Sequence, residues 1–402
     1  MMRSATWTWG VAFVLMFATF LNYADRQALA VSLKELKDAH GIHEARVGWL
    51  EGAFGLAFAA GSVAFGWLAD RFGPVRLYPL VLAGWSAAGL ATAFVAADTD
   101  LATFRRLLAC RVVLGFCEAG HWPCALLTLR QILSAKDRPL GNGMLQGGAA
   151  LGAVAIPLYA EAVQQFGGSW PFVFASVGAA GLLWLPFWLV LVRRDDFAAM
   201  PKPGAEPARE AVWPRVLGLV VFISGLNVGW QFLRAWLPLF LQEHHHYSRE
   251  ATRFVTSGFF LATDAGCLAV GFGVQAMAAR GRSVAGARLI TCVACMAAAS
   301  LAVAVPHAGG GAVMLAFLFL AGAGILGAHP YYYALVQELP TRNMGVISGG
   351  IAAMGWLAAS AFNVGIGEEI KRANNYDLGL TLAGLAPVAG FAGLVAIRRL
   401  WV

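Results

Sequence analysis

Twelve apolar blocks run through the sequence, each roughly 20 to 30 residues long and separated by short polar loops: 7–33, 47–69, 77–97, 101–129, 139–166, 170–192, 215–242, 251–279, 284–305, 310–338, 343–368 and 376–397. A helix needs about 20 apolar residues to cross the hydrocarbon core of a bilayer, and a helix satisfies its own backbone polar groups there. The blocks are therefore read as membrane helices, and an all-α membrane protein with twelve transmembrane helices is predicted. Strands of a membrane barrel would alternate apolar and polar residues over segments of about ten, and no such pattern occurs. Only 13% of the residues are charged and 59% are hydrophobic, against about a quarter charged in soluble domains. That balance excludes a water-soluble enzyme. The sequence also lacks H-E-x-x-H, G-x-S-x-G and an intramembrane Ser/His/Asp set, so no enzyme of the membrane-embedded kind is expected either.

The longest polar stretch, from Arg193 to Pro214, is rich in proline and charge and separates six blocks from six. Three parts follow: an N-terminal six-helix bundle over 1–192, a cytoplasmic linker over 193–214, and a C-terminal six-helix bundle over 215–402. Lys and Arg collect in cytoplasmic loops of membrane proteins. Placing the N-terminus inside puts most of the 29 basic residues on the cytoplasmic side, so both termini are expected to face the cytoplasm, with the chain in the plasma (inner) membrane. The net charge of +7 thus reads as topology, and no nucleic-acid partner is expected, because the basic residues form no single patch. The first block is too long for the apolar region of a cleavable signal. The six cysteines all lie inside apolar blocks, where a disulfide framework is not expected. His244, His245 and His246 beside Glu243, with His40 and His43 in another outer loop, read as solvated side chains; no metal and no other cofactor is expected. The working unit is expected to be a monomer.

An ionisable group at mid-bilayer costs about 2.5–3.5 kcal/mol on insertion scales, so each one inside a block calls for a function and a partner. The first block carries Asn22, Tyr23, Asp25 and Arg26; the fourth carries Arg111 and Glu118; the seventh carries Arg234; the eighth carries Asp264. Arg111 and Glu118 are seven apart and share a helix face, with His121 or Trp122 one turn further on. Asp25 is expected near Arg111 or Glu118. A desolvated carboxylate favours its protonated form and a neighbouring arginine favours the ionised one, which is the requirement for coupling to protons. Arg26 is permanently charged and forked, suited to a carboxylate or phosphate.

Between the second and third blocks stands GWLADRFGPVR, from Gly66 to Arg76. It resembles the G-x-L-x-D-R-x-G-x-x-R loop of the major facilitator superfamily, and the twelve-block layout with a central linker resembles that superfamily over the whole chain. The resemblance implies two pseudo-symmetric six-helix bundles that move a solute by alternating access, with Gly66, Asp70, Arg71, Gly73 and Arg76 as a gating loop. A degenerate echo follows about 205 residues later in Arg280, Gly281, Arg282 and Arg288, without an acidic residue in the place of Asp70.

FLNYADRQALAV in the first block and CRVVLGFCEAGHWPCA in the fourth resemble the anion:cation symporter family, the hexuronate, galactonate and sialin-type carriers. Their motifs N-Y-x-D-R-x-x-L and R-x-x-x-G-x-x-E-A-x-x-x-P fall here on Asn22, Tyr23, Asp25 and Arg26, and on Arg111, Gly115, Glu118, Ala119 and Pro123. The resemblance implies proton coupling through Asp25 and Glu118, substrate binding through Arg26 with Tyr23 beside it, and Arg111 as a charge partner. It also implies a small anionic solute, a sugar acid or other carboxylate, moved with a proton or another cation. One departure is Phe58, where sugar-acid carriers often have tyrosine.

Arg234 is the second departure. Shifted by the repeat offset, Arg26 falls close to it, and organophosphate:phosphate antiporters of the same superfamily resemble this arrangement, with one arginine from each half clamping a phosphate. Antiport through Arg26 and Arg234 is therefore the alternative, while a structural pair of Arg234 with Asp264 stands beside both. Further polar residues at helical spacing are candidates to line a substrate cavity: Asn227, Gln231 and Arg234; His329 and Tyr333; Trp356, Ser360 and Asn363. Hydrogen bonding between helices is an equal reading for each of them.

Overall fold

In the computed structural model, residues 4–133, 138–193, 212–339 and 344–398 are described. Nearly all of them are helical, in fourteen α-helices: α1 (Ala5–His40), α2 (Glu44–Phe72), α3 (Pro74–Thr92), α4 (Asp100–Glu118), α5 (His121–Ile132), α6 (Arg138–Gln165), α7 (Trp170–Leu191), α8 (Val212–Leu239), α9 (Arg249–Ala279), α10 (Val284–Ser300), α11 (Ala312–Gly327), α12 (His329–Gln337), α13 (Met344–Ala373) and α14 (Asp377–Arg398). The twelve apolar blocks map onto these fourteen because the fourth and tenth are each divided, into α4 with α5 and α11 with α12. Pro123 and Pro330 explain both divisions: each lacks the N–H that would bond the carbonyl four residues back, at Ala119 and Leu326. Ten helical spans among the described residues are long and apolar enough to cross a bilayer. Large apolar side chains on the outside, such as Leu183 and Phe272, each 68% exposed, fit a lipid-facing surface.

The chain divides into two compact units: Met1–Arg46 with Ala53–Ala205, and Val47–Gly52 with Glu206–Val402. The linker expected over 193–214 falls almost wholly on 194–211, outside the described residues.

In the first unit, Ser4 caps α1 by accepting from the Trp7 amide, and Gly41 ends the helix with φ +57°. Helix α1 packs on α6 and α7, and α3 packs on α7 and α4. Buried indoles tie their ends to the backbone: Trp184 Nε1 donates to the Val14 carbonyl at 2.7 Å and Trp188 Nε1 to that of Val75 at 3.2 Å. The turn from α2 to α3 runs through Gly73, whose φ +74° and ψ 160° suit glycine alone, and Pro74 then starts α3 at a position where its missing N–H is no loss.

In the second unit, α8 packs on α14 and α13, and α9 on α11. Its core gathers Leu219, Phe222, Ile223 and Leu226 of α8 with Cys292, Cys295 and Met296 of α10 and Tyr331 and Tyr332 of α12. The six cysteines are all free thiols. After Pro238, the end of α8 loosens into a π-helical turn, Phe240–His244.

Candidate functional site

Four ionisable side chains of the first unit are buried close together. Asp25, Arg26, Arg111 and Glu118 are each at most 6% exposed, on α1 and α4. Arg26 Nε donates to Glu118 Oε2 at 2.5 Å, forming a buried ion pair. Three aromatic faces surround the same guanidinium: Phe58 at 4.8 Å, Tyr23 at 5.2 Å and Phe54 at 5.7 Å from its central carbon. Arg111 also lies over Phe54, 4.3 Å from its ring centre. Such contacts favour a desolvated cation without neutralising it. Phe58, the departure from the sugar-acid pattern, is thus a packing surface for Arg26.

Close helix approach fixes this arrangement. A Cβ on Gly115 of α4 would lie 2.4 Å from the Phe54 carbonyl of α2, so only glycine lets the two backbones meet between Arg111 and Glu118. Asp25 is aimed at Gly89 of α3, where a Cβ would stand 2.7 Å from Oδ1. Asp25, Arg111 and Glu118 are all buried within this unit. Neither Asp25 carboxylate oxygen has a hydrogen-bond partner among the described residues, and the same holds for both polar side-chain atoms of Asn22.

His121 opens α5 directly beyond this group and is buried with Thr19 and Tyr78. The Thr19 hydroxyl donates to the Leu15 carbonyl at 3.0 Å, so it accepts from His121 Nε2–H at 3.0 Å. His121 Nδ1 then accepts from the Tyr78 hydroxyl at 2.7 Å, since a hydroxyl has one proton to give. Sequence spacing put His121 or Trp122 one turn beyond Glu118; the structure buries His121 between partners on α1 and α3.

In the second unit, Arg234 is buried on α8. Its Nε donates to Gln231 Oε1 at 2.6 Å, and its Nη2 pairs with the carboxylate of Glu51. The expected structural pair with Asp264 is therefore corrected: Asp264, half-buried midway along α9, forms no ion pair among the described residues. The reason is geometric. Glu51 lies in the α2 stretch Val47–Gly52, which packs so tightly on α13 that Cβ atoms on Gly48 and Gly52 would meet the Asn363 carbonyl at 2.4 Å and the Val364 side chain at 2.5 Å. Sequence reasoning missed Glu51. The available signal was a lone carboxylate five positions into the second apolar block.

The remaining candidates of this unit are placed as follows. Asn227 and Gln231 are buried beside Arg234 on α8. Asn363 is committed to structure: Oδ1 accepts from Trp236 Nε1 at 2.9 Å and Nδ2 donates to the Ala359 carbonyl at 3.0 Å. Ser360 donates to the Trp356 carbonyl at 2.6 Å, and Trp356 itself is half-buried. His329 is buried and its Nδ1 donates to the Ile325 carbonyl at 3.1 Å, while Tyr333, with its ring centre 6.2 Å away, is 48% exposed. Of the loop residues, Gly66 is buried in α2, Arg71 stacks on Trp67 at 5.2 Å and Phe72 at 5.7 Å, and Arg76 is exposed; the Asp70 side chain lies outside the described residues.

Residues 15–363 match the sequence pattern of the Major Facilitator Superfamily. The chain is 24% identical over 408 residues to a probable L-galactonate transporter of Escherichia coli K12, covering 96% of this chain and 88% of that one. It is 23% identical to the probable galactarate/D-glucarate transporter GudP of Bacillus subtilis, covering 95% and 90%. Among solved structures, the xylose transporter XylE of E. coli in a partially occluded inward-open conformation superposes with a TM-score of 0.74 at 14% identity, over 98% of both chains. A bacterial homologue of the human lysosomal transporter Spinster superposes with a TM-score of 0.69 at 18% identity, over 99% and 97%.

Proposed function

Because the chain belongs to the Major Facilitator Superfamily, a family of transporters and not of enzymes, we propose that it carries out proton-coupled symport of a small organic anion, a sugar acid or another carboxylate, by alternating access. The similarity to galactonate and galactarate/D-glucarate transporters supports the substrate class. We take it to work as a monomer in the inner membrane, with both termini and the 193–214 linker cytoplasmic.

One observation carries the reading: Arg26, the cation suited to a substrate carboxylate, is already held by Glu118 in a site closed to water. Substrate and Glu118 compete for the same guanidinium. A proton on Glu118 removes its charge, frees Arg26, and leaves the site neutral once a carboxylate has bound. An anion binding without that proton would leave an uncompensated buried negative charge, which costs several kcal/mol. Co-binding of proton and anion follows from this charge balance. Asp25, buried without a hydrogen-bond partner among the described residues, is the second place to hold a proton, because a bare carboxylate there costs far more than a protonated one. Tyr23 and Arg111 complete the cation's surroundings. The Asp70 loop gates the cytoplasmic side.

The test is uptake into proteoliposomes with an imposed inward proton gradient. Glu118→Gln is expected to abolish accumulation driven by the gradient while preserving counterflow of the same anion; accumulation that survives the substitution removes Glu118 from the coupling role. The alternative is a phosphate clamp of Arg26 and Arg234, and it has weaker support because the galactonate and galactarate/D-glucarate transporters that the chain resembles over most of its length carry carboxylates. Counterflow of inorganic phosphate, abolished by Arg234→Lys, would reinstate it.

A further inference from the structure

Within the first unit, a line of buried polar side chains leads from Asp25 toward the α2–α3 turn. On α1, Thr19, Asn22 and Asp25 follow one another at intervals of three, so each stands one turn from the next on one broad face. On α3, Tyr78, Trp85 and Gly89 share a face at intervals of seven and four, with Tyr78 in the second turn after Pro74. Thr19, Asn22, Asp25, Tyr78, Trp85 and His121 are each at most 1% exposed. His121 joins the two helices at one end of the line: Nε2–H donates to Thr19 Oγ at 3.0 Å and Nδ1 accepts from the Tyr78 hydroxyl at 2.7 Å, with the Trp85 ring edge-on at 5.7 Å. At the other end Asp25 faces Gly89. Trp85 Nε1, both polar atoms of Asn22 and both Asp25 oxygens have no hydrogen-bond partner among the described residues. Buried groups that no side chain reaches are met by ordered water, each water commonly bonding about three of them. Arg26, Arg111, Glu118 and Cys124 are the other titratable side chains buried on α1, α4 and α5, while α7, packed on α3, brings Trp184 and Trp188 against Tyr78.

We infer that Thr19, His121 and Tyr78, with ordered water at Asn22 and Trp85, form a proton path between Asp25 and the α2–α3 turn. Protons balance along it. Asp25 gives its proton to the water at Asn22, which passes one to Thr19 Oγ. Thr19 gives its own to His121 Nε2, the Nδ1 proton goes to Tyr78, and Tyr78 releases its own toward the turn. Every group but Asp25 ends with as many protons as it began with, and the imidazole has changed tautomer. The bonds in this structure, with Nε2 protonated and Tyr78 donating to Nδ1, are those left after release. An imidazole suits the step because its two nitrogens can exchange donor and acceptor roles. The inference rests on the proton-coupled reading above, in which the α2–α3 turn is cytoplasmic, and adds the way by which the Asp25 proton leaves.

Full-length protein in proteoliposomes separates a proton path from mere packing, with galactarate as the probe anion. Net uptake under an inward proton gradient requires release from Asp25 in every cycle, whereas counterflow at equal pH exchanges the anion without it. His121→Gln keeps an amide donor and acceptor but cannot change tautomer. It is expected to slow net uptake about 100-fold, the lower range for loss of a positioned proton-transfer group, with counterflow retained. Tyr78→Phe keeps the ring and is expected to show the same split; it decides the matter if His121→Gln does not fold. Equal loss of both activities makes these residues packing groups, and unchanged net uptake in either variant takes them off the path; each result overturns the inference. An unaltered chain that moves no protons with galactarate overturns the symport reading itself, a failure visible before any variant is made.

Discussion

Arg26 and Arg234 occupy equivalent places in the two units, yet their surroundings differ in kind. The offset that carries position 26 to 234 also carries 121 to 329, so the histidine that opens α5 has its counterpart in the one that opens α12. Under the same shift, the places of Asp25, Arg111 and Glu118 hold Leu233, Phe319 and Leu326. The first unit thus surrounds its arginine with three further ionisable groups from α1 and α4. The second has apolar residues in all three places and finds its carboxylate on a six-residue stretch of α2. A repeated scaffold has preserved the position of the cation and of the helix breaks, while the charge that answers each cation came from a different helix. The comparison teaches that pseudo-symmetry of fold does not extend to symmetry of chemistry.

Replacing each arginine by lysine puts the largest strain on this comparison. Lysine keeps the charge and loses the fork. Arg26→Lys is expected to lower the initial rate of galactarate uptake about 100-fold, equivalent to ~2.7 kcal/mol, the upper range for hydrogen bonds to charged groups. Arg234→Lys should lower it about tenfold, because Gln231 and Glu51 can still meet a lysine there with single hydrogen bonds. Equal losses in the two variants would erase the asymmetry.

Glycine substitution sharpens the contrast at the next level. In Gly89→Ala the new methyl would meet Asp25 Oδ1 at 2.7 Å; in Gly355→Ala it would meet Asn227 Nδ2 at the same 2.7 Å. Both are overpacked by about 1–3 kcal/mol and should melt earlier in detergent. Only Gly89→Ala should move the midpoint of the pH–uptake curve, because only there does the displaced group titrate. A shift in both, or in neither, would separate Asp25 from coupling.

The smallest effect concerns the two histidines. Tyr78→Phe removes the 2.7 Å bond to His121 Nδ1 and is expected to destabilise by about 1 kcal/mol. His329→Gln can still donate to the Ile325 carbonyl and should change the melting temperature less. Thermal unfolding of the two purified variants orders them, and a greater loss at His329 would reverse the assignment of structural weight to the first unit.

Much of the site was legible because charge is so scarce in the apolar blocks. Asp25, Arg26, Arg111 and Glu118 stood out as exceptions, and helical spacing alone put Arg111 and Glu118 on one face. Glu51 was not legible: near the outer end of its block it looks like an ordinary boundary carboxylate, and only the close seating of Gly48 and Gly52 against α13 draws it inside. The roles of Asn363 and His329 were equally hidden, since a buried polar side chain reads the same whether it faces a solute or bonds the next helix. The breaks at Ala119–Gly120 and Ala328 follow from Pro123 and Pro330, although hydropathy ran straight across them.

By itself, the sequence determined that this chain crosses a membrane as helices and which arginines cannot be explained by topology, because apolar length and intramembrane charge are properties of the chain in one dimension. Tertiary structure decided which carboxylate meets which arginine: Glu118 for Arg26 and Glu51, in place of Asp264, for Arg234. Helix rotation and the approach allowed by small residues set those pairings, and neither is encoded in the spacing of residues along a single helix.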